Sequence, residues 1–168
     1  MDIIFDIDGT TLDISHRLKY VKQSPKNWKA FRDPKEKEFD VPILPIISIA
    51  KALIKVNHQL IFASGRSEEE RLDTIVSLSD YFLLDGWTEV SDSINWTSNH
   101  EHWPTLPFYM RKTGDYRKDT VVKGEMYDQM LADGYEPSMV FDDRPSVIRM
   151  WRELGGSTVI DVGQGLEF

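Results

Sequence analysis

Several features that would narrow the class of this protein are missing from its sequence. There is no cysteine, which excludes disulfide bonds and thiolate metal ligands and leaves the redox compartment open. No apolar run approaches the ~20 residues that a membrane-spanning helix needs. Positive charge is scarce, because 20 Lys and Arg stand against 28 Asp and Glu and the net charge is −8. That balance argues against a protein that grips nucleic acid through many phosphate contacts, but it does not exclude a local basic entrance to a site.

The length and the order of the apolar segments indicate one α/β domain. A chain of 168 residues can bury a core of its own, so we expect a single domain over residues 1–168. Short apolar runs alternate with amphipathic segments, a pattern typical of a mainly parallel sheet. The expected helices are Pro45–Val56, Arg71–Leu78 and Val147–Leu154, and the expected later strands are Tyr81–Leu84 and Ser157–Asp161. The N-terminus has no basic leader with a cleavage site, and we therefore expect a cytoplasmic protein that does not engage a membrane.

The N-terminal segment carries a pair of aspartates at the end of an apolar run. The run is Ile3–Ile7, and Asp6 and Asp8 are followed by Gly9 and Thr10. Because side chains in a strand alternate between two faces, both carboxylates point the same way. Neighbouring carboxylates repel each other, and a hard cation with oxygen ligands is the usual compensation. The alternative is a surface aspartate pair in an Asp-Gly turn.

A second apolar run, Gln59–Ala63, predicts a buried strand that ends in a candidate anion site. The run continues into Ser64, Gly65 and Arg66. Gly65 allows a tight turn, and the Ser64 hydroxyl and the adjacent N–H groups can form a small anion-binding nest. Taken alone, the segment is also explained as the capped start of a helix, with Ser67 as the cap.

Two further segments carry a lysine and a second acidic pair. Lys123 lies in the first turns of a helix that we expect to run to about Leu131. The short strand Ser138–Phe141 ends in Asp142 and Asp143. A solvated lysine and an acidic turn would explain each segment separately. The order of the four segments along the chain, Asp-x-Asp, Ser-Gly-Arg, Lys and Asp-Asp, indicates one shared site.

This order of motifs resembles that of the haloacid dehalogenase (HAD) superfamily of phosphatases. Within it, the sequence is most similar to the 3′-phosphatase domain family of T-even phage polynucleotide kinase/phosphatase. The matching stretches are Phe5–Thr10, Ser64–Arg66, Arg111–Glu125, Phe141–Arg144 and Val147–Trp151. A kinase half is not represented, because the sequence contains no GxxxxGK[ST] motif. The resemblance implies a HAD-like Rossmannoid three-layer sandwich with a mainly parallel central sheet and a small cap or flap insert after the first strand.

The resemblance also implies a role for each motif residue. Asp6 is expected to attack phosphorus and form an aspartyl-phosphate, and Asp8 to protonate the leaving hydroxyl, which requires Asp8 to be protonated part of the time. Mg²⁺ is the expected cofactor, with its ligands drawn from Asp6, the main-chain oxygen of Asp8, Asp142 and Asp143. The expected phosphate contacts are Ser64, Gly65, Arg66, Arg111 and the catalytic Lys123. The expected supporting residues are Thr10 and Asp119, the latter one helical turn before Lys123 and orienting it.

Two segments have no counterpart in that family. Residues 13–40 are rich in cations for this chain, with Tyr20, Trp28 and Phe31 among them. We expect a cap or flap that stacks on a base and holds phosphate, and the alternative is an amphipathic helical hairpin with a solvated charged face. Residues 85–105 are expected to be a long loop insert. Its two histidines, His100 and His102, are more simply explained by packing than by a metal site.

The expected activity is removal of a 3′-phosphate from nucleotides or polynucleotide ends. The stretch Arg111–Lys123 carries five cations within thirteen residues, which suits a substrate with diester phosphates behind the reacting one. The alternatives are a 5′-nucleotidase or general small-molecule HAD phosphatase, and a catalytically inactive phosphate- or nucleotide-binding module. The expected partner is a nucleotide or nucleic-acid 3′-phosphate end, and a homodimer is left open. A phage-encoded chain would act in the host cytoplasm.

Overall fold

The computed structural model describes residues 1–82, 87–90, 93–96, 106–165 and 167. Its strands are β1 (Asp2–Phe5), β2 (Leu12–Asp13), β3 (Val41–Pro42), β4 (Gln59–Ser67), β5 (Trp87–Val90), β6 (Ser93–Trp96), β7 (Leu106–Arg111), β8 (Pro137–Asp142) and β9 (Thr158–Asp161). Its helices are α1 (Lys19–Lys22), α2 (Trp28–Phe31), α3 (Pro34–Lys37), α4 (Leu44–Lys55), α5 (Arg71–Phe82), α6 (Asp119–Ala132) and α7 (Pro145–Leu154). The helices and strands alternate along the chain as the sequence predicts.

Seven of the strands form one sheet in the order β5-β6-β7-β4-β1-β8-β9. The five strands from β7 to β9 run parallel, and β5 and β6 are antiparallel at one edge. In the register of the sheet, Phe5 on β1 lies beside Phe62 on β4 and Phe141 on β8. The carboxyl ends of these three strands therefore lie together, at the edge where open α/β sheets bind their ligands.

Helices cover both faces of the sheet, which gives the three-layer sandwich expected for the fold class. Ile3 and Phe5 on β1 pack in one apolar cluster with residues of α4 and α5. Ile4, between them in sequence, packs in a second cluster with residues of α6 and α7, including Trp151. Both faces of β1 are therefore buried, as is usual for strands of a parallel sheet covered by helices on both sides.

Residues 13–40 form a small helical insert after the first strand. The insert leaves and returns through a two-stranded antiparallel ribbon, in which Leu12 pairs with Pro42 and Asp13 with Val41. Between these strands lie α1, α2 and α3, each four residues long. The insert has an apolar cluster of its own, which contains Ile14, Leu18, Val21 and Phe31.

The expected strand over Tyr81–Leu84 is wrong in its described part. Tyr81 and Phe82 complete α5, while residues 83–84 lie outside the described residues. The helix buries Ile75 and Leu78 on one face, and Tyr81 follows at the same spacing. A short apolar run cannot be assigned to helix or strand by its periodicity, so the continuation of α5 decides the outcome.

The long loop expected over residues 85–105 is also wrong in its described part. β5 and β6 pair as an antiparallel hairpin, and β6 extends the sheet beside β7. The hairpin sequence contains tryptophan and β-branched residues, which favour strands, among the polar residues that suggested a loop. His100 and His102 lie outside the described residues.

None of the described helices is long and apolar enough to span a membrane.

Candidate active site

The predicted motif residues meet at the carboxyl ends of the central parallel strands. Asp6 follows β1 directly, Ser64 lies in β4, and Asp142 is the last residue of β8. Because β1 lies between β4 and β8, Asp6 comes between the other two groups. All three side chains are buried. The structure therefore brings together three of the four motifs, and α6 supplies the fourth.

Lys123 on α6 joins the acidic residues into one cluster. Its Nζ donates to Oδ1 of Asp6 at 2.6 Å and to Oδ2 of Asp142 at 2.7 Å. The indole Nε1 of Trp151 donates to the same oxygen of Asp142 at 3.1 Å. Burial lowers the pKa of Lys123, but the carboxylates of Asp142 and Asp6 outweigh burial and hold that pKa above its usual range. Lys123 is thus a fixed, buried cation and not a solvated side chain.

Three carboxylates of the site are arranged to hold a cation. One oxygen from each of Asp6, Asp142 and Asp143 lies within 4.8 Å of the others. Gly9, with a φ of +96°, and Gly163 allow Asp143 to lie this close, because a Cβ at Gly9 would collide with the Asp143 carboxylate and a Cβ at Gly163 with the Asp143 main chain. A set of oxygen donors alone suits the expected Mg²⁺. The carboxylate of Asp8 is not part of the cluster, so the main-chain oxygen of Asp8 stays the predicted ligand.

The acidic cluster is electrostatically crowded. Burial raises the pKa of Asp6 well above its usual range, Asp142 and Asp143 raise it further, and Lys123 opposes them. Burial and the neighbouring Asp142 raise the pKa of Asp143 to about 6. Crowded, desolvated carboxylates of this kind favour a proton or a metal ion between them. The raised pKa values of Asp6 and Asp143 therefore agree with a cation site at these three carboxylates.

Asp8 interacts instead with two buried arginines. Nη2 of Arg17 donates to Oδ1 of Asp8 at 2.6 Å, and Nη2 of Arg66 donates to the same oxygen at 2.5 Å. Burial raises the pKa of Asp8, but Arg66 and Arg17 together lower that pKa well below its usual range. The expectation that Asp8 is protonated part of the time is thus not met in this structure. Two guanidinium groups hold the carboxylate ionised.

Arg17 and Asp40 also belong to the site, although no motif in the sequence marks them. Asp40 accepts from Nε of Arg17 at 2.8 Å and from Nη2 of Arg66 at 2.7 Å, and it is buried with both. One signal for Arg17 was present, because it shares the helical spacing of Ile14 and Leu18 and so lies on the buried face of the insert. A buried arginine needs an acidic partner. No comparable signal identifies Asp40, whose position depends on where the insert returns to the domain.

Arg111 and Asp119 hold the segment between β7 and α6. Nε of Arg111 donates to the main-chain oxygen of Gly65 at 2.9 Å, and its Nη2 pairs with Asp119. Asp119 also pairs with Arg144. Its described partners are therefore two arginines, which corrects the expectation that Asp119 orients Lys123. Gly65 has no left-handed φ, and its role is close approach, because a Cβ there would lie 3.1 Å from the Asp119 carboxylate.

Ser64 and Thr10 contribute buried hydroxyl groups. Oγ of Ser64 accepts from the backbone N–H of Arg66 at 3.1 Å, within a shifted part of β4 and not in the separate turn that we expected. Oγ1 of Thr10 is buried and has no hydrogen-bond partner in the described part of the chain. An unpartnered buried hydroxyl costs free energy, and this one lies directly after the Asp-x-Asp-Gly motif. It fits a site that takes up a further polar group.

A cavity of about 820 Å³ opens onto the site, and its wall includes Asp6, Asp8, Lys123, Asp142 and Asp143 but not the side chains of Ser64 and Thr10. Its size lies within the range of ~300–1,000 Å³ typical of ligand pockets. Half of the 20 lysines and arginines in the sequence line it. These residues are Arg17, Lys26, Arg32, Lys37, Arg66, Arg111, Arg117, Lys118, Lys123 and Arg144. Seven acidic residues line the cavity as well: Asp6, Asp8, Glu70, Asp119, Asp142, Asp143 and Glu167. Ten cations against seven acids leave a formal charge of +3 on the lining of an acidic chain, which attracts anions locally.

Comparison with known proteins agrees with the motifs. The family model described as HAD_PNKP, the polynucleotide kinase PNKP phosphatase domain, matches residues 1–166. A curated relative, the putative bifunctional polynucleotide kinase/RNA ligase of Autographa californica nuclear polyhedrosis virus, is 34% identical over 68 residues. The aligned part is 40% of this chain and 10% of that relative.

Two solved structures share the fold. One, of the Pnkp1/Rnl/Hen1 RNA repair complex, superposes with a TM-score of 0.66 at 22% identity, over 98% of this chain and 42% of the other. A second, of the Pnkp1/Rnl/Hen1 complex, gives a TM-score of 0.67 at 23% identity, over 99% and 47%. The chain therefore spans less than half of these chains and about a tenth of the viral relative. Since the family model covers almost all of its residues, the chain belongs to the family of polynucleotide kinase PNKP phosphatase domains within the HAD superfamily.

Proposed function

We propose that this chain is a magnesium-dependent phosphomonoesterase that removes the 3′-phosphate from nucleotides or polynucleotide ends through an aspartyl-phosphate on Asp6. The observation that carries the proposal is the buried cluster of Asp6, Asp142 and Asp143 beside Lys123, in a cavity lined by cations. Membership of a polynucleotide phosphatase-domain family supports the same class of substrate. Phosphoryl transfer depends on positioning and charge, and this site supplies both.

The first half of the reaction transfers the phosphoryl group to the enzyme. The carboxylate of Asp6 attacks the phosphorus, a bond from Asp6 to phosphorus forms, and the bond from phosphorus to the leaving oxygen breaks. Asp8 gives its proton to that oxygen. Lys123 and Ser64 bind the non-bridging oxygens. Mg²⁺ held by Asp6, Asp142 and Asp143 would offset the repulsion between the phosphate and the attacking carboxylate.

Asp8 can supply that proton only if its pKa rises when substrate enters. Arg66 and Arg17 lower the pKa of Asp8 in the structure described here. A phosphate dianion in the cavity competes with Asp8 for the guanidinium groups, and a weaker hold on Asp8 raises its pKa. Acid catalysis by Asp8 is therefore coupled to the presence of the phosphate that Asp8 must help to cleave.

The second half of the reaction restores Asp6. A water molecule attacks the phosphorus of the aspartyl-phosphate, the bond from phosphorus to the Asp6 oxygen breaks, and Asp8 accepts a proton from the water. Inorganic phosphate then leaves the cavity, and Asp6 is a carboxylate again. The same residue thus serves as acid in one half and as base in the other.

The preference for a 3′-phosphate end rests on the distribution of charge. Three cations of the cavity wall contact Asp6 or Asp8. Three more, Lys26, Arg32 and Lys118, have no ion-pair partner among the described residues, and a free sugar phosphate would leave them unused. A polynucleotide end places diester phosphates behind the reacting group, where these cations can bind them.

The expectations of a homodimer and of a cytoplasmic location stay predictions.

The test is a competition between a 3′-phosphorylated oligonucleotide and the same sequence with a 5′-phosphate. Release of phosphate is measured at fixed Mg²⁺ and at two salt concentrations. We expect a higher kcat/KM for the 3′ end and a slope of log kcat/KM against log salt of about −0.7 to −1.4, as for one or two neutralised phosphates on a single strand. Equal kcat/KM for the two ends would make the chain a general nucleotidase.

The controls separate enzyme from binding module. Chelation of Mg²⁺ by EDTA is expected to stop phosphate release, and re-addition of Mg²⁺ to restore it. Asp6→Asn is expected to be inactive, whereas Asp128→Asn, which alters an exposed aspartate on α6, is expected to match the wild type. Absence of phosphate release from the wild type with either end would favour an inactive binding module.

A further inference from the structure

Two exposed aromatic side chains line the cavity and have no place in the chemistry above. Trp28 lies on α2 of the insert and is 40% exposed, and Tyr116 lies between β7 and α6 and is 83% exposed. They come from separate segments that meet at the same cavity. Both side chains present apolar surface to water. Two such side chains in the wall of one cavity indicate contact with a ligand.

Cations without acidic partners accompany these rings. Nζ of Lys26 lies 5.4 Å and Cζ of Arg32 lies 5.5 Å from the centre of the Trp28 ring. Lys118 lines the cavity two residues after Tyr116. Among the residues that the structure describes, none of these three cations has an ion-pair partner. Their charge is therefore available to a ligand, in contrast to Lys123, which is bound between carboxylates.

The insert holds Trp28 in a fixed position. The ring of Trp28 meets that of Phe31 edge to face, with centres 5.8 Å apart, and Phe31 is buried in the insert's apolar cluster. Asn27 caps α2 by accepting from the backbone N–H of Ala30 at 3.0 Å. Lys37 forms an ion pair with Glu70, which ties the insert to the main domain. A ring that is ordered in advance loses less entropy when a ligand stacks on it.

We propose that Trp28 and Tyr116 form a base-stacking subsite for the unpaired nucleotides behind the reacting phosphate. Lys26, Arg32 and Lys118 bind the diester phosphates of the same nucleotides. The inference rests on the proposed function and adds to it a substrate class, a single-stranded end of at least two nucleotides. Because every base has a π face, the subsite is tolerant of sequence.

The test compares 3′-phosphorylated substrates of one, two and three nucleotides. The quantity measured is the ratio of kcat/KM for the trinucleotide to kcat/KM for the mononucleotide. We expect this ratio to fall about tenfold in Trp28→Ala and in Tyr116→Ala, as stacking of ~1–3 kcal/mol per base implies, and to be largely restored in Trp28→Phe. The control is Phe39→Ala, since Phe39 is an exposed aromatic of the same insert that does not line the cavity.

A binding measurement tests the stacking subsite without depending on catalytic turnover. A 3′-phosphorylated trinucleotide with 2-aminopurine at its last or second-last base is titrated into Asp6→Asn, and the probe's fluorescence is expected to be quenched by stacking. Adding Trp28→Ala or Tyr116→Ala to that variant is expected to reduce the quenching, and adding Phe39→Ala is not. Circular dichroism checks that each variant is folded.

The two proposals fail in distinguishable ways. An active wild type whose length ratio and quenching are the same in all variants would overturn the subsite and leave the phosphatase activity intact. A wild type that releases no phosphate from any of the substrates would overturn the proposed function. In that case the quenching measurement still decides whether Trp28 and Tyr116 bind bases.

Discussion

Lys123 neutralises part of the negative charge of the buried acidic cluster. Among the described residues, it is the one cation that contacts both Asp6 and Asp142, and it is buried with them. Removing one partner from a buried ionic cluster leaves the other charges unpaired, which costs more than the loss of a surface ion pair. Lys118, five residues earlier, looks equivalent in the sequence but is exposed at the start of α6.

The two lysines should therefore respond differently to the same substitution. We expect Lys123→Ala to lower kcat strongly on every substrate, because a contact to the transferring phosphoryl group is lost. We expect Lys118→Ala mainly to raise KM, and only for long polyanionic substrates. Steady-state kinetics with p-nitrophenyl phosphate and with an oligonucleotide separate the two. Similar effects of both variants on p-nitrophenyl phosphate would show that the lysine was wrongly assigned.

The stability of the metal-free protein should depend on pH through Asp143. Its pKa is raised from an ordinary 3.8 to about 6 in the folded chain. Between about pH 4 and 6 the folded protein thus binds more protons than the unfolded one, so its free energy of unfolding falls as the pH rises through that window. We expect Asp143→Asn to be more stable than the wild type above pH 6, by about 1–3 kcal/mol, with no gain below pH 4.

Chemical denaturation in EDTA at several pH values measures this difference. Mg²⁺ should narrow it, because metal binding stabilises the folded wild type preferentially. Asp128→Asn is the matched control, because its side chain is exposed and outside the cluster. A metal-free Asp143→Asn that is less stable than the wild type at pH 7 would show that repulsion in the cluster is not the dominant effect.

At the scale of elements, the insert after β1 is fastened to the site by buried charge. Arg17 comes from the insert, Arg66 from β4, and Asp40 from the point where the insert returns. Asp40 accepts hydrogen bonds from both arginines. The insert is thus more than a lid with a solvated face, because it supplies Arg17, one of the two described cations that pair with Asp8.

Asp40→Asn tests this connection. The substitution leaves two buried guanidinium groups with Asp8 as their remaining acidic partner among those described, and we expect it to lower the free energy of unfolding by about 3 kcal/mol. Denaturant unfolding measures the change. The control is Glu38→Gln in the same insert, which alters an exposed side chain and is expected to stay within about 0.5 kcal/mol of the wild type. Equal stability of Asp40→Asn and the control would mean that the cluster does not fasten the insert.

The elements that the sequence predicted well are those whose signal is local. Asp6 directly follows an apolar strand and Asp142 ends one, so the position of both at the carboxyl edge of the sheet could be predicted from neighbouring residues. The partners of a side chain depend on packing between distant segments, and that is why the pairs of Asp8 and Asp119 differed from expectation. The strand predicted to begin at Tyr81 was wrong for the same reason: α5 continues through Tyr81 to Phe82 because of how the helix packs.

For the whole molecule, net charge alone would give a misleading prediction. The chain carries −8 overall, yet ten of its 20 Lys and Arg but only seven of its 28 Asp and Glu line one cavity. The acidic exterior should weaken non-specific attachment along a polynucleotide, while the cavity attracts a phosphate end. Composition could not reveal this division, because it depends on which segments the fold brings to one edge of the sheet.

Transfer of the substrate's phosphate to Asp6 is the step on which every proposed role depends. It is measured by mixing an oligonucleotide that has a radiolabelled 3′-phosphate with an excess of the protein in Mg²⁺ and quenching the mixture with acid on the millisecond scale. We expect label on the wild-type chain, none on Asp6→Asn, and less than about a tenth of wild-type turnover in that variant, which should remain folded and at least as stable in metal-free buffer. Label on Asp6→Asn, or phosphate release by that variant at a rate near the wild type's, would contradict the covalent route through Asp6.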